Sequence, residues 1–312
     1  SGVFNIGKDK TFQEWKYSVQ TREQLLNKFH NYPAEFTPGE KSAYSNTNYI
    51  LLSMIIEELE NADFSKVLKK RILDPINLQN TYYGNRIDPS KSEAYSYERL
   101  SKWEKAKETD ASVTRGAGAI VSTPSDLNKF IFALFEGELI SPSSLDKMQE
   151  IDKNFGLGLY PISFYKQENL IGHTGSLDGF ASMLAHSPDK KMAIAYSSNG
   201  YNMPMDDLMS GIFSIAFNKE YTLPEMKNAK LTAAELQLFT GTYGGENFPL
   251  DINVFVENEV LMAQGTGQPK FPLDPINTNT FKFDRAGLKM EFVPLENKMI
   301  FMQGENRLEL FR

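Results

Sequence analysis

The stretch Tyr44-Ser45-Asn46-Thr47-Asn48-Tyr49 places polar groups directly ahead of the apolar run ILLSMIIEEL. A phenol can carry a proton to or from a reacting group, and an asparagine amide both donates and accepts hydrogen bonds. Tyr44 and Asn46 stand two residues apart, ahead of a helix that needs only one capping residue. The following run predicts a helix. Either Asn46 or Thr47 can accept a hydrogen bond from the free N–H groups of its first turn. Capping accounts for one polar residue and leaves Tyr44 unexplained; taken alone, Tyr44 is a packed aromatic and Asn46 a cap. A second group of interest is Gly172-His173-Thr174-Gly175-Ser176, which sets an imidazole and two hydroxyls between glycines on a strand-like run. His173 taken alone is a hydrogen-bonded strand residue. His30 and His186 carry no functional signal.

The elements that must position these residues show two textures. From Thr21 to about Tyr221 helical periodicity dominates. Thr21-Arg22-Glu23-Gln24 forms a capping box, followed by Leu25, Leu26 and Phe29 on one face. Leu51, Leu52, Ile55, Ile56 and Leu59 are expected to form the buried stripe of the helix after Tyr49, with Phe64, Val67, Leu68 and Ile72 forming another. Thr123-Pro124-Ser125-Asp126 starts a helix that carries Leu127, Phe130, Ile131 and Leu134 and stops at Gly137. Asn169 to Ser176, Phe180 to His186 and Lys191 to Tyr196 predict consecutive antiparallel strands. Gly116 and Gly118 suit close backbone approach. The polar segment from Lys91 to Thr114, with Trp103, reads either as a lid or as a surface loop.

After Leu223-Pro224-Glu225 come short strand-length runs such as DINVFV, EVLMAQ and KMIFMQ, broken by Gly, Asn and Pro. They predict a small all-β barrel or sandwich over 231–312, its Phe, Tyr and Met residues serving as core, after a first domain over 1–221. The fold class is α+β. With 312 residues, 41% hydrophobic and 12% aromatic, the chain can bury a substantial core. A net charge of −7 argues against nucleic acid or an anionic membrane surface as partner. Zero cysteines exclude disulfides and thiolate metal sites, and three histidines leave little for a histidine metal cluster. No apolar stretch approaches the ~20 residues of a membrane span.

Tyr44-Ser45-Asn46, RGAGAIVSTPSDL from Arg115, FGLGLY from Phe155 and GHTGSLDGF from Gly172, read in that order, resemble the serine β-lactamase and penicillin-binding-protein family, nearest its class C esterases and D-peptidases. The tail, with GTY from Gly241 and AQGTGQPKFPLDPINTNTFKF from Ala263, resembles the lipocalin-like domain fused to such hydrolases. The resemblance implies acyl transfer through a serine of a Ser-x-x-Lys motif, with Tyr44 as base or proton relay and Asn46 holding the lysine and the substrate amide. It places His173 and Thr174 on the cleft, with the Gly172–Ser176 strand binding the acyl part as an added strand. Ser176 N–H would be an oxyanion donor, beside Gly175. It implies no metal or organic cofactor, a small-molecule or peptide substrate (an ester, D-peptide or β-lactam), and a periplasmic, secreted or envelope-anchored location.

One family element has no counterpart. Ser-x-x-Lys belongs upstream of Tyr-x-Asn, and Ser1-Gly2-Val3 resembles the tail of a family segment that follows that helix. Three other Ser-x-x-Lys strings, at Ser144, Ser163 and Ser187, all follow Tyr44. Two functions remain open: a serine hydrolase whose nucleophile lies upstream of this chain, and a hydrolase-like binding or regulatory protein without one. His173 stands where the family's lysine would attract a substrate carboxylate, which favours an esterase or peptidase over a β-lactamase.

Overall fold

A computed structural model describes residues 1–99, 103–152, 154–162, 168–201, 205–221, 231–245, 248–304 and 306–312. The chain forms two compact units, one of residues 1–98 and 105–201, the other of 99–104 and 202–312. The boundary expected between Tyr221 and Leu231 falls on residues 222–230, outside the described residues.

In the first unit, helices α1 (Phe12–Trp15), α2 (Arg22–Asn31), α3 (Asn46–Glu60) and α4 (Phe64–Leu68) precede the short strand β1 (Tyr82–Tyr83). The segment read as lid or loop contains two paired strands, β2 (Tyr97–Arg99) and β3 (Trp103–Lys105), of which residues 99, 103 and 104 are counted with the second unit, and, within the first unit, the short helix α5 (Ala111–Thr114). Strand β4 (Ile120–Val121) pairs with β1. Helices α6 (Pro124–Phe135) and α7 (Pro142–Gln149) lead to an antiparallel sheet of β5 (Tyr160–Pro161), β6 (Ile171–Leu177), β7 (Phe180–Ser187) and β8 (Met192–Ser198), in that spatial order. The three strands predicted from the alternation are β6, β7 and β8.

The capping box forms as read: Thr21 Oγ1 accepts from Gln24 N–H at 3.1 Å and the Gln24 side chain accepts from Thr21 N–H at 2.8 Å. Leu25 is buried beneath it, whereas Leu26 is exposed. Thr123 caps α6, which packs on the sheet: His186 of β7 lies between the rings of Phe132 and Phe135, at 5.6 and 4.2 Å.

Helix α3 corrects its expected face. Leu52, Ile55 and Leu59 are exposed at 49%, 51% and 81%, while Thr47, Ile50, Ser53 and Met54 are buried. The reason is crowding. Gly116 meets the helix so closely that an added Cβ would lie 2.7 Å from Ser53 Cβ and from the Tyr49 carbonyl, so only the face with small polar residues can turn toward it. Gly118 meets nothing closer than ordinary van der Waals contact. Ile50 and Met54 join Ile6, Leu25 and Val113 in one apolar cluster. The Arg115–Glu57 ion pair fastens the same side, and Arg115 holds a positive φ of 40°.

The second unit includes helix α8 (Met205–Ala216), where Met209 and Phe213 are fully buried, and helix α9 (Ala233–Leu236) with its own capping box. Eight strands follow: β9 (Gly241–Gly245), β10 (Phe248–Glu257), β11 (Val260–Gly265), β12 (Phe271–Pro275), β13 (Thr280–Phe283), β14 (Leu288–Val293), β15 (Lys298–Gln303) and β16 (Asn306–Phe311). Each pairs with the next in antiparallel fashion, and β16 pairs with β9 through Phe311 and Gly244 to close a barrel. Closure leaves the barrel no open sheet edge. The interior is packed: Tyr243, Phe281, Phe292, Met290 and Met299 are each at most 1% exposed and share one cluster. Most aromatic and Met residues of the tail are therefore core, as their type led one to expect, although Phe311 is 54% exposed.

Candidate active site

Helix α3 begins at Asn46, with extended Ser45 at the N-cap position and no side-chain cap hydrogen bond. Neither expected cap is one. Thr47 Oγ1 accepts from Ile6 N–H at 2.9 Å, and Asn46 Oδ1 accepts from the Tyr44 hydroxyl at 3.3 Å. The polar residues before the helix are engaged elsewhere: Ser45 Oγ donates to the Phe4 carbonyl, and Asn5 Nδ2 donates to the Tyr44 carbonyl. The chain near its beginning thus ties down the loop that presents Tyr44.

Tyr44 is 37% exposed, and its ring packs among other rings: Tyr49 at 5.9 Å, His173 at 6.0 Å and Phe155 at 6.5 Å. Burial, and secondarily Tyr49 and Tyr160, push the Tyr44 phenol above the ordinary tyrosine value. That is the opposite of the lowering a tyrosine base needs. In this setting Tyr44 is a phenol that can donate a proton, and it would become a base only beside an added cation.

His173, Thr174, Gly175 and Ser176 lie consecutively on β6. Gly172 is required just before them, because an added Cβ would lie 1.9 Å from the Leu184 carbonyl of β7. His173 Nδ1 lies 2.6 Å from the Thr174 carbonyl. A carbonyl only accepts, so Nδ1 carries the proton and, in the neutral ring, Nε2 is the acceptor. At the far end of β6 the turn residue Asp178 is held by buried Lys16 at 3.2 Å and by Thr109 N–H at 2.6 Å.

The structure therefore brings Tyr44, Asn46 and His173 to one place, with Thr174 adjoining. Gly175 and Ser176 are exposed next along the strand. Sequence reasoning missed Tyr160 and Phe155, which wall the site: Tyr160 stands edge-on to His173 at 4.7 Å, and Phe155 reaches both Tyr44 and Tyr160. Their signal was present, since they are the first and last residues of FGLGLY. The Lys16–Asp178 pair, 162 positions apart, had none.

The alternative nucleophiles fare poorly. Ser144 sits in the first turn of α7, and its N–H and hydroxyl both engage the cap residue Ser141. Ser187 is 1% exposed at the end of β7 and begins the hairpin turn that carries exposed Lys190, so its hydroxyl and that amine belong to different environments. Ser163 lies outside the described residues.

The family model for β-lactamase matches residues 2–212. This chain belongs to the β-lactamase family. Among relatives, it is 26% identical to penicillin-binding protein 4* of Bacillus subtilis over 311 aligned residues, covering 90% of this chain and 68% of that protein. Its fold is similar to a D-stereospecific amidohydrolase from Streptomyces sp., with TM-score 0.59 and 27% identity over 64% of this chain and 65% of that one. It is also similar to a D-amino acid amidase from Ochrobactrum anthropi SV3, with TM-score 0.56 and 24% identity over 64% and 61% of the two chains. The chain spans about two thirds of the length of these proteins. The family hydrolase fold and the closed barrel after it are what the motifs and the tail resembled. Among the described residues, no helix is long and apolar enough to cross a membrane.

Proposed function

We propose that this chain is the larger part of a serine hydrolase that acts through an acyl-enzyme, with its nucleophile supplied by a segment upstream of Ser1. The convergence of Tyr44, Asn46 and His173 carries this reading: the Tyr44 hydroxyl reaches Asn46 Oδ1 at 3.3 Å and its ring lies 6.0 Å from that of His173. In the complete site, the lysine of the upstream Ser-x-x-Lys would add a cation beside Tyr44, where burial, Tyr49 and Tyr160 raise the phenol among the described residues. The phenol could then take the serine proton and later return a proton to the leaving group. Asn46 would hold the lysine and the substrate amide, and Ser176 N–H would receive the developing oxyanion.

The walls support a proposal for the substrate class. Tyr44, Phe155, Tyr160 and His173 offer aromatic surface, and His173 replaces the family's permanent cation. Substrates without a carboxylate, such as esters or D-amino-acid amides, suit it better than carboxylate-bearing β-lactams, and the likeness to a D-stereospecific amidohydrolase agrees. An envelope or secreted location belongs to the same proposal, and the kinship with a penicillin-binding protein supports it.

A second reading, a binding protein with no nucleophile, draws on the raised Tyr44 phenol and on the two serines just set aside. Hydrolysis of p-nitrophenyl esters by the protein extended upstream decides between them. Turnover that disappears when the serine of an upstream Ser-x-x-Lys becomes alanine supports the hydrolase; a folded extended protein with no turnover supports the binder.

A further inference from the structure

Strand β6 would offer its outer edge to a ligand, because β5 covers only its beginning: Tyr160 pairs with Gly172 and Pro161 with Ile171. In an extended strand every second residue turns its N–H and C=O toward the same neighbour. Beyond Gly172, the outward pairs belong to Thr174 and Ser176. An added peptide strand would use both.

At Thr174 both groups already bond to side chains. The Thr174 N–H donates to the Tyr160 hydroxyl at 2.8 Å, and that hydroxyl also shares a hydrogen bond with Thr174 Oγ1. The Thr174 carbonyl accepts from His173 Nδ1 at 2.6 Å. Tyr160 is the last covering residue on this edge that still reaches past the end of β5, because residues 156–159 turn away: Gly156 N–H donates to the Leu159 carbonyl, and Gly158 holds φ of 79°. The Tyr160 ring then braces His173 from the side at 4.7 Å.

We infer that Tyr160 closes the edge of β6 at Thr174, leaving Ser176 as the first backbone position a ligand can pair with, so that the site limits substrate length on the side of Thr174 to what fits without further strand pairing. A ligand strand growing from Ser176 toward Thr174 meets an N–H whose one hydrogen bond is already made and a C=O beside which the His173 ring sits, and it would have to displace the Tyr160 hydroxyl to proceed. On this inference the Gly172–Ser176 strand would pair with substrate through Ser176, with Thr174 contributing its side chain. The ligand-length claim rests on the hydrolase reading; the closed edge stands on the hydrogen bonds alone.

Two measurements separate them. In protein labelled with 15N-threonine and ring-15N-histidine, the Thr174 amide should exchange slowly with solvent. Tyr160→Phe should speed that exchange about tenfold or more, while the ring 15N signals of His173 still show a proton on Nδ1, which certifies that the strand is intact. Thr174→Val, labelled at valine, keeps the N–H to Tyr160 contact and should remain protected. Fast exchange at Thr174 in the unaltered protein, or unchanged protection in folded Tyr160→Phe, overturns the closed edge. In the upstream-extended protein, D-aminoacyl amides lengthened one residue at a time on either side should show a sharp fall in kcat/KM on one side. Tyr160→Ala should lessen that fall about tenfold. Equal use of long and short substrates overturns the length limit, and no hydrolysis of any substrate defeats the hydrolase reading while amide exchange still decides the edge.

Discussion

Tyr44 and His173 sit 6.0 Å apart ring to ring, yet their chemistry differs, and single substitutions should separate them. Tyr44→Phe keeps the packing against Tyr49 and Phe155 and removes only the hydroxyl. In the upstream-extended protein it should lower kcat/KM for an ester by ~10²–10⁴-fold, the usual worth of general acid–base catalysis, without moving the melting temperature. His173→Ala should mainly raise KM. Full activity in folded Tyr44→Phe would return Tyr44 to a packing role. His186 supplies a stability test away from the site. It is buried between two phenylalanines with Nδ1 unpartnered, and burial, slightly opposed by Glu136, pulls its pKa below the ordinary histidine value. The unfolded chain therefore binds the proton more readily. This loss of stability is absent above the unfolded-state pKa of ~6.5 and grows as pH falls below it. Melting temperature should drop between pH 7 and pH 5, and His186→Gln should flatten that drop; parallel profiles for the two proteins would refute the assignment.

At the scale of elements, α3 shows what sequence could and could not say. That a helix follows Tyr49 was plain. Its buried face was not, because Ile50, Leu51, Leu52, Met54, Ile55, Ile56 and Leu59 point in nearly every direction around the axis, and apolar periodicity cannot choose among them. The deciding contacts are with Gly116 and Arg115, more than fifty positions away. Ile50→Ala should cost ~2–5 kcal/mol by opening the packed cluster, whereas Leu59→Ala should change stability by no more than ~0.5 kcal/mol. Denaturant melts giving equal losses would restore the face that periodicity suggested. The strands β6 to β8 were legible because each alternates between Gly or Pro-Asp turns. Their motif residues were legible too, through order and type. Tyr160 was marked as the last residue of FGLGLY, but its role was not legible, since it arises where the side chain runs on past the short strand β5 to reach Thr174, a feature of tertiary geometry.

For the whole molecule, each part carries its own core. The barrel closes on itself and buries Tyr243, Phe281 and Phe292, so residues 231–312 expressed alone should fold cooperatively. Phe292→Ala should cost that fragment ~3–5 kcal/mol, enough to abolish a sharp thermal transition in a domain of marginal stability. A fragment lacking a cooperative melt even without the substitution would show that the boundary is drawn in the wrong place. The central claim concerns the complete protein: Tyr44, Asn46 and His173 serve a serine that lies upstream of this chain. Intact-mass spectrometry with peptide mapping, after incubation with a penicillin and with a p-nitrophenyl ester, tests it most directly. Residues 1–312 alone should gain no stable acyl adduct, and the upstream-extended protein should gain one on the serine of a Ser-x-x-Lys before Ser1. An adduct on Ser144, Ser163 or Ser187, or none in an extended and folded protein, would contradict the account.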